Sequence, residues 1–137
     1  MNIEAVGPGE VDRVIAADRL FDHPADADAT RRFLASEGHH LLIAYSDGVP
    51  VGFVSGVEMT HPDKGTEMFV YELGVDEGHR RRGIGRRLLD ELTVIARQRG
   101  CYGMWVLTDA TNEAALATYA SAGAVREGEQ VMLGWKL

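Results

Sequence analysis

The feature that most constrains how this chain can fold is a strand, a glycine loop and a helix that follow one another in the middle of the sequence. Residues 68–75, MFVYELGV, are a largely apolar run, which is typical of a strand buried on both faces. The loop HRRRGIGRRLL follows at residues 79–89, and apolar side chains recur at helical spacing until Gly100. A helix that begins at Gly83–Gly85 leaves the backbone N–H groups of its first turn free to donate to a ligand.

Such a helix start has the parts of a phosphate or pyrophosphate cradle. The free N–H groups and the helix dipole favour an anion, and the glycines let it approach the backbone closely. Arg80–Arg82 and Arg86 can add charge-assisted hydrogen bonds. No Gly-Lys-Ser/Thr follows, so this is not a Walker loop, and the third glycine of the dinucleotide fingerprint is missing. The alternative is the solvated basic face of an ordinary helix.

Charge and cysteine content narrow the functional classes. The 137 residues include 14 Lys+Arg and 21 Asp+Glu, for a net charge of −7. This balance argues against a general nucleic-acid binder and is compatible with a cationic small-molecule substrate, although solubility alone can explain it. The single cysteine, Cys101, excludes an intramolecular disulfide. With no signal peptide or bilayer-length apolar run, the sequence predicts a soluble, cytoplasmic protein without a membrane partner.

Hydrophobic patterning predicts one domain over residues 1–137, of mixed α/β class, with helices around one sheet. A polar loop is expected at residues 60–67. The predicted strands are residues 1–6, 39–45, 49–59, 68–75, 101–108 and 129–137, and the predicted helices lie within 10–20, 22–38, 84–100 and 111–123.

Two motifs carry a resemblance to a known family. Arg80-Arg81-Arg82-Gly83-Ile84-Gly85 is similar to the Arg/Gln-x-x-Gly-x-Gly/Ala signature of the GNAT superfamily of N-acetyltransferases. Residues 112–123, NEAALATYASAG, resemble the Asn-x-x-Ala-x-x-x-Tyr-x-x-x-Gly helix of the same superfamily. The resemblance covers nearly the whole chain and implies the superfamily's fold, a mixed central sheet flanked by helices. Ala124 stands where the family usually has Phe, which we interpret as a change of packing.

The resemblance also implies acetyl-coenzyme A (acetyl-CoA) as co-substrate, without a metal. Loop amides and arginines would bind the pyrophosphate, a strand edge would pair with the pantetheine arm, and the later helix would approach the arm and the thioester sulfur. The residues concerned are Arg80, Arg81, Arg82, Gly83, Ile84, Gly85 and Arg86 in the loop, Leu73, Gly74 and Val75 at the strand edge, and Asn112, Ala115 and Tyr119 in the helix.

Three side chains are candidates for the chemistry of acetyl transfer to an amine. Glu72 is a charge inside an apolar run, which is costly unless it is paired or faces a cleft, and burial would raise its pKa toward the range of a useful base. The family match favours Tyr119 as the acid for the leaving thiolate, and its alternative is a packed aromatic. Asp109 closes a predicted strand and is either a site residue or a helix cap. Because the family transfers directly, Cys101 is not expected to be a nucleophile.

Residues 71–81 resemble the corresponding stretch of the type I aminoglycoside 3-N-acetyltransferases. This resemblance implies a cationic amine as acceptor, bound by Glu72 and Asp109 with Asp63 from an acidic loop. The family also implies a homodimer. Other amines remain open as acceptors, namely polyamines, protein N-termini, lysines and small metabolites, and so does a non-catalytic CoA-binding sensor.

Overall fold

The computed structural model describes all of the chain, Met1–Leu137, and contains one five-stranded sheet in the order β1-β2-β3-β4-β5. The strands are β1 (Asn2–Ala5), β2 (His39–Ser46), β3 (Val49–His61), β4 (Gly65–Val75) and β5 (Met104–Val106), and the helices are α1 (Val11–Ala16), α2 (Ala27–Ala35), α3 (Ile84–Gln98) and α4 (Glu113–Ser121). Strands β1 to β4 are antiparallel, and β5 is parallel to β4. The predicted fold class is confirmed. None of the helices is long and apolar enough to cross a lipid bilayer.

Helix α3 closes one face of the sheet with a regular apolar stripe. Its side chains at spacings of four residues are all buried, namely Ile84, Leu88, Leu92 and Ala96. Two glycines of β3 allow the helix to come close to the sheet. A Cβ added at Gly52 would lie 3.1 Å from Ile84 Cγ2, and one added at Gly56 would lie 3.1 Å from the methyl groups of Leu92. This face carries the larger hydrophobic core.

The opposite face is only partly covered. Helices α1 and α2 form a second, smaller core with β2 and β3, which includes Val14, Leu34 and Phe53. Neither helix extends this core onto β4, where Tyr71 is 69% exposed. The prediction that β4 is buried on both faces is therefore wrong, because the α1–α2 layer covers only the neighbouring strands.

Three other predicted elements differ from the structure. The loop expected at residues 60–67 is shorter, because β3 and β4 continue to pair as far as His61 and Gly65. The strand expected at residues 101–108 is reduced to the three residues of β5. The strand expected at residues 129–137 is absent, and the chain after Gly123 forms neither helix nor strand. A strand exists through hydrogen bonds to a neighbour, and this segment pairs with none.

Candidate active site

A β-bulge in β4 determines which side chains reach the open face of the sheet. The pairing of β3 with β4 matches Ser55 to Glu72 but the next residue, Gly56, to Val70. Tyr71 is thus an extra residue without a partner on β3. One additional residue inverts the alternation of side chains along the strand, so the bulge redirects everything that follows it.

Because of the inversion, some side chains of β4 pack against α3 and others line a cavity on the opposite face. The side chains that pack on the α3 side are Met68 and Val70 before the bulge and Leu73 and Val75 after it. Tyr71 and Glu72 instead line a cavity on the opposite face. A regular alternation that kept Val70 in the core would have put Glu72 in the core as well. The bulge therefore releases this carboxylate from the α3 core.

The cavity beside Glu72 has a volume of about 440 Å³ and combines apolar walls with a charged rim. Aromatic rings from a loop, a helix and a strand contribute to the walls, namely Phe21, Phe33 and Phe53. The carboxylates around it are Asp22, Asp26 and Glu72, and the titratable side chains His23 and Tyr71 lie beside them. Such a cavity can hold an organic group against its walls and a cationic group against its carboxylates.

The electrostatic environment of Glu72 favours a proton acceptor. Partial burial raises the pKa of its carboxyl group, the neighbouring Asp22 carboxylate raises it further, and His23 lowers it in part. No side chain forms a hydrogen bond or ion pair with the Glu72 carboxylate. A carboxylate with a raised pKa and free lone pairs can take a proton from a bound ammonium group.

The predicted anion cradle has an open helix N-terminus. Gly83 is the N-cap of α3, with φ of 76°, and no side chain caps the helix. The N–H groups of Ile84, Gly85 and Arg86 precede the first intrahelical bond, which Arg87 N donates to the Gly83 carbonyl over 3.0 Å. The left-handed φ at the N-cap explains why glycine stands there. The loop can therefore donate several backbone hydrogen bonds to one anion.

The arginines of the cradle are exposed and only loosely held. Arg80 Nε donates to the Val75 carbonyl over 3.3 Å, and Arg86 Nε lies 3.8 Å from Asp90 Oδ2. Arg81, which has a φ of 63°, and Arg82 have no carboxylate within 4.0 Å. Free guanidinium groups at a helix N-terminus are suited to a phosphorylated ligand.

The pairing of β4 with β5 ends next to this cradle. Their pairing ends at Val70 and Val106, so the edge of β4 that faces β5 is unpaired over Leu73–Val75. Helix α4 borders the same gap, since a Cβ added at Gly85 would lie 3.0 Å from Thr118 Cγ2 and within 4 Å of β4 side chains. The structure thus brings the predicted pyrophosphate loop, the predicted pantetheine edge and α4 together.

Two predicted site residues, Tyr119 in α4 and Asn112 at its N-cap, differ in burial and in hydrogen bonding. Tyr119 follows Thr118 in the helix, is partly buried against the α3-side core, and has its pKa raised by burial, so its phenol holds a proton to donate. Asn112 Oδ1 accepts a hydrogen bond from Ala115 N over 3.1 Å, which confirms the predicted cap of this helix. The Asn112 amide nitrogen keeps its donors for a ligand.

Two predicted carboxylates lie outside the cavity. Asp109 is exposed in the segment between β5 and α4, where its carbonyl accepts from Asn112 N over 3.0 Å. Asp63 lies at the tip of the β3–β4 hairpin, where it pairs with Lys64 over 3.0 Å and with His61. The structure does not bring Asp63 to Glu72, which is seven residues along β4 from the start of that strand.

Sequence reasoning gave Tyr71 and His23 no role in the site. Tyr71 lies at the cavity because of the bulge, and no residue next to it in the sequence predicts a bulge at this position. Asp22 and His23 lie there because the helix predicted at residues 10–20 ends at Ala16 and gives way to a 3-10 turn, Asp18–Leu20. The Asp-His-Pro sequence that follows the turn was the available signal, since proline disfavours helix in the residue before it.

An unpaired strand edge beside an open helix N-terminus is the arrangement that the two sequence motifs led us to expect. The sequence model of the Acetyltransferase (GNAT) family matches residues 11–124, and the chain belongs to this family.

Among curated proteins, N-alpha-acetyltransferase RimI of Mycobacterium tuberculosis is 42% identical over 107 residues, which are 78% of this chain and 65% of RimI. This chain spans less than two thirds of RimI and about half the length of several other curated N-acetyltransferases that it matches.

Two solved structures share the fold across nearly all of the chain. The aminoglycoside acetyltransferase meta-AAC0020, from an uncultured soil metagenomic sample and in complex with sisomicin, has a TM-score of 0.90 at 20% identity, over 99% of this chain and 95% of that one. AAC(6')-Iy, in complex with the bisubstrate analogue CoA-S-monomethyl-acetylneamine, has a TM-score of 0.84 at 22% identity, over 99% and 97%. At these identities the likeness establishes the fold.

Proposed function

We propose that this protein is an acetyl-CoA-dependent N-acetyltransferase that acts on a primary amine of a cationic small molecule. The observation that carries the proposal is the position of Glu72 in the strand. Its side chain faces the cavity, while the next residue, Leu73, begins the unpaired edge beside the open N-terminus of α3. An acceptor on one side of β4 and a donor in the gap on the other can therefore meet at one strand.

The residues of the gap fit acetyl-CoA, which supplies an acetyl group activated as a thioester. The N–H groups at Ile84–Arg86 and the guanidinium groups of Arg80–Arg82 would bind the pyrophosphate. The edge at Leu73–Val75 would pair with the amide groups of the pantetheine arm. Asn112 and Ala115, at the start of α4, would border that arm. The uncapped helix end and the free strand edge are the structural features that support this assignment.

Two residues would carry out the two proton transfers of the reaction, one from the amine and one to the thiolate. Glu72 would accept the proton of the acceptor's ammonium group, directly or through a water, and thereby free the nitrogen lone pair for attack. Tyr119 would donate its phenolic proton to the departing thiolate. Asp109 would hold a second ammonium group of the acceptor at the outer end of the gap. Asp63 has no part in the reaction because it lies at the hairpin tip in its own ion pairs.

The acceptor that we propose is an aminoglycoside, acetylated at its 3-N position. The carboxylates around the cavity and the net charge of −7 suit a molecule with several ammonium groups. Structural neighbours with aminoglycoside acetyltransferase names support the class, and they specify the 6'-N position or none. The 3-N position depends on the resemblance of residues 71–81 to the type I enzymes.

A protein N-terminus is a second candidate acceptor. RimI, at 42% identity, is named an N-alpha-acetyltransferase. The cavity could take the α-amino group at Glu72 and the first side chain against its aromatic walls, Phe21, Phe33 and Phe53.

Amine-dependent release of free thiol from acetyl-CoA tests both candidates. The panel should contain sisomicin, an Ala-terminated peptide and spermidine, with mass spectrometry and NMR to locate the acetyl group on the product. Release with sisomicin and modification at 3-N would support the full proposal. Release with the peptide alone would replace the acceptor and keep the chemistry. Tight CoA binding without release from any amine would favour a CoA-binding sensor.

We also propose that the protein forms a homodimer through its last residues. The apolar side chains of this segment are exposed by more than three quarters, namely Val125, Val131, Met132, Leu133, Trp135 and Leu137. Their exposure in water is unfavourable, and the outer edge of β5 is unpaired. Light scattering coupled to size-exclusion chromatography should give twice the 15.0 kDa chain mass, and a monomer would contradict the proposal.

A further inference from the structure

An exposed arginine connects the wall of the cavity to the strand that leads into the cradle. Arg19 Nη1 donates to Asp76 Oδ1 over 2.9 Å, and its Nη2 donates to the Pro50 carbonyl over 2.5 Å. Arg19 belongs to the 3-10 turn Asp18–Leu20, whereas Asp76 follows the last residue of β4. The two residues are 57 positions apart in the sequence. Arg19 precedes the segment that lines the cavity, and Asp76 precedes the loop of the cradle.

On one side of this bridge, the turn holds the cavity wall, which we define as residues 21–24. Asp18 Oδ2 accepts from Ala25 N over 3.1 Å, so the turn closes the far end of the wall. The Phe21 ring packs edge-on against Phe53, with ring centroids 4.7 Å apart. The Leu20 carbonyl is so close to β4 that a Cβ added at Gly74 would lie 3.3 Å from its oxygen. These contacts anchor the wall to the turn at one end and to Phe53 at Phe21.

On the other side, Asp76 holds the approach to the cradle. Its Oδ2 pairs with His79 Nδ1 over 2.8 Å, and its N–H donates to the Val51 carbonyl over 2.8 Å. The hydrogen bonds from His79 and Arg19 hold the pKa of Asp76 below its usual range. His79 directly precedes Arg80, the first arginine of the cradle. One carboxylate thus contacts the cavity turn through one oxygen and the cradle's approach through the other.

We propose that Arg19 is a positioning residue that couples the acceptor cavity to the cofactor cradle. The inference rests on the proposed function, which places the amine in the cavity and acetyl-CoA in the cradle. An exposed ion pair adds little to global stability, so the bridge acts locally, on the position of the wall relative to β4. A ligand that fixes the cradle then favours one position of the wall, and the acceptor must favour the cradle by the same factor.

The test compares Arg19→Gln with the matched control Arg31→Gln. Arg31 is also exposed and also forms an ion pair, with Asp28 over 2.6 Å, but both residues lie on α2 and neither lines the cavity. In Arg19→Gln we expect the KM for the amine to rise about fivefold or more, which is the usual scale of coupling between sites. The kcat and the Kd of CoA measured without amine should stay within about twofold of wild type, because coupling affects the pair of ligands. Arg31→Gln should leave all three values unchanged.

Hydrogen exchange provides a readout that needs no turnover. In wild type and Arg31→Gln, CoA should slow exchange at the Leu20–His23 amides as well as at Ile84–Arg86, and in Arg19→Gln only the second effect should remain. Asp76→Asn should likewise remove the CoA effect at the Leu20–His23 amides, and the double variant should remove nothing further there.

Equal amine KM values in the Arg19 and Arg31 variants would overturn the inference, and so would a CoA effect on the Leu20–His23 amides that survives in Arg19→Gln. If wild type binds CoA but acetylates no amine, the proposed function fails, while the exchange experiment still decides the coupling. If CoA slows exchange only at Ile84–Arg86 in wild type, the coupling fails whatever the turnover.

Discussion

The two faces of the sheet carry two glutamates with opposite pKa shifts. Glu58, on the α3 side of β3, has a side chain only 11% exposed, and it accepts from Arg99 Nε over 2.8 Å and pairs with His40 Nε2 over 2.6 Å. Burial alone would raise its pKa, but these two partners hold it below the usual range. Glu72, on the cavity side of β4, has no such partners, and burial and Asp22 raise its pKa.

The difference shows how one sheet separates stability from chemistry. On the α3 side, the Glu58 carboxylate is paired and the apolar stripe is continuous, so a charge there contributes to holding β2, β3 and α3 together. On the cavity side, a bulge interrupts the strand and a carboxylate is left without a partner. Substitutions on the first face should therefore change unfolding, and those on the second should change turnover.

The largest expected effect is on the cavity side. Glu72→Gln keeps the shape of the side chain and removes its ability to accept a proton, so kcat/KM should fall by about 10²–10⁴, the usual contribution of a general base. The free energy of unfolding should stay within about 0.5 kcal/mol of wild type. Thiol-release kinetics and urea unfolding on the same preparation check both statements.

Glu67→Gln is the matched control, because Glu67 is a carboxylate of the same strand that lies five residues earlier and outside the cavity. Its side chain accepts a hydrogen bond from the Tyr102 hydroxyl over 3.2 Å. This variant should retain wild-type kcat/KM. If Glu72→Gln retained it as well, the proton would be taken by another group and the assignment of the base would be wrong.

The next largest effect is expected on the α3 side, where a substitution should lower stability. Leu92 is completely buried, so Leu92→Ala should lower the free energy of unfolding by about 2–5 kcal/mol through lost burial and a residual cavity. Tyr71→Ala removes a larger side chain from the other face, where the residue is 69% exposed, and should cost about 1 kcal/mol or less. Urea unfolding of both variants measures the contrast, and equal losses would show that the two faces are not distinct.

The same contrast explains what the sequence could and could not predict. The stripe of Ile84, Leu88 and Leu92 follows helical periodicity, and periodicity predicts packing, so α3 and its face were predictable. The open helix start at Gly83 was predictable too, because glycine is the residue that tolerates its left-handed φ. Both features depend on neighbours in the sequence.

The remaining features depend on residues distant in the sequence. The bulge at Tyr71 arises from the register between β3 and β4, and the approach of Asp22 to Glu72 arises from the way the turn packs on β4. Residues 129–137 contain an apolar run typical of a strand, yet no strand of the sheet pairs with them. Local pattern predicts the capacity to form a strand, while the partner strand determines whether it forms.

A smaller effect is expected from Glu58. Glu58→Gln should lower the free energy of unfolding by about 1–2 kcal/mol at neutral pH, because it weakens two charge-assisted hydrogen bonds and Arg99 can return to water. A carboxyl whose pKa is lowered in the folded state stabilises the fold above its unfolded pKa, and that contribution is lost as the pH falls through the folded pKa. The difference between wild type and variant should therefore shrink in acid. A difference that is constant from neutral to acidic pH would mean that packing, and not charge, is responsible.

The smallest expected effects are shifts of the pH profile, and their signs are opposite for two neighbouring residues. The Asp22 carboxylate raises the pKa of Glu72, so Asp22→Asn should lower that pKa and move the acidic limb of kcat/KM to lower pH. His23 lowers the same pKa, so His23→Gln should move the limb to higher pH.

These shifts have their sign because a base must be unprotonated to act, and the acidic limb marks the pH at which Glu72 loses its proton in the free enzyme. Profiles of kcat/KM at constant ionic strength measure both variants, with Asp26→Asn as a control. Asp26 also lines the cavity, but its carboxylate caps α2 by accepting from Ala29 N over 2.7 Å, and it does not contribute to the shift of Glu72. Shifts of the same sign in the Asp22 and His23 variants would mean that the limb reports a group other than Glu72.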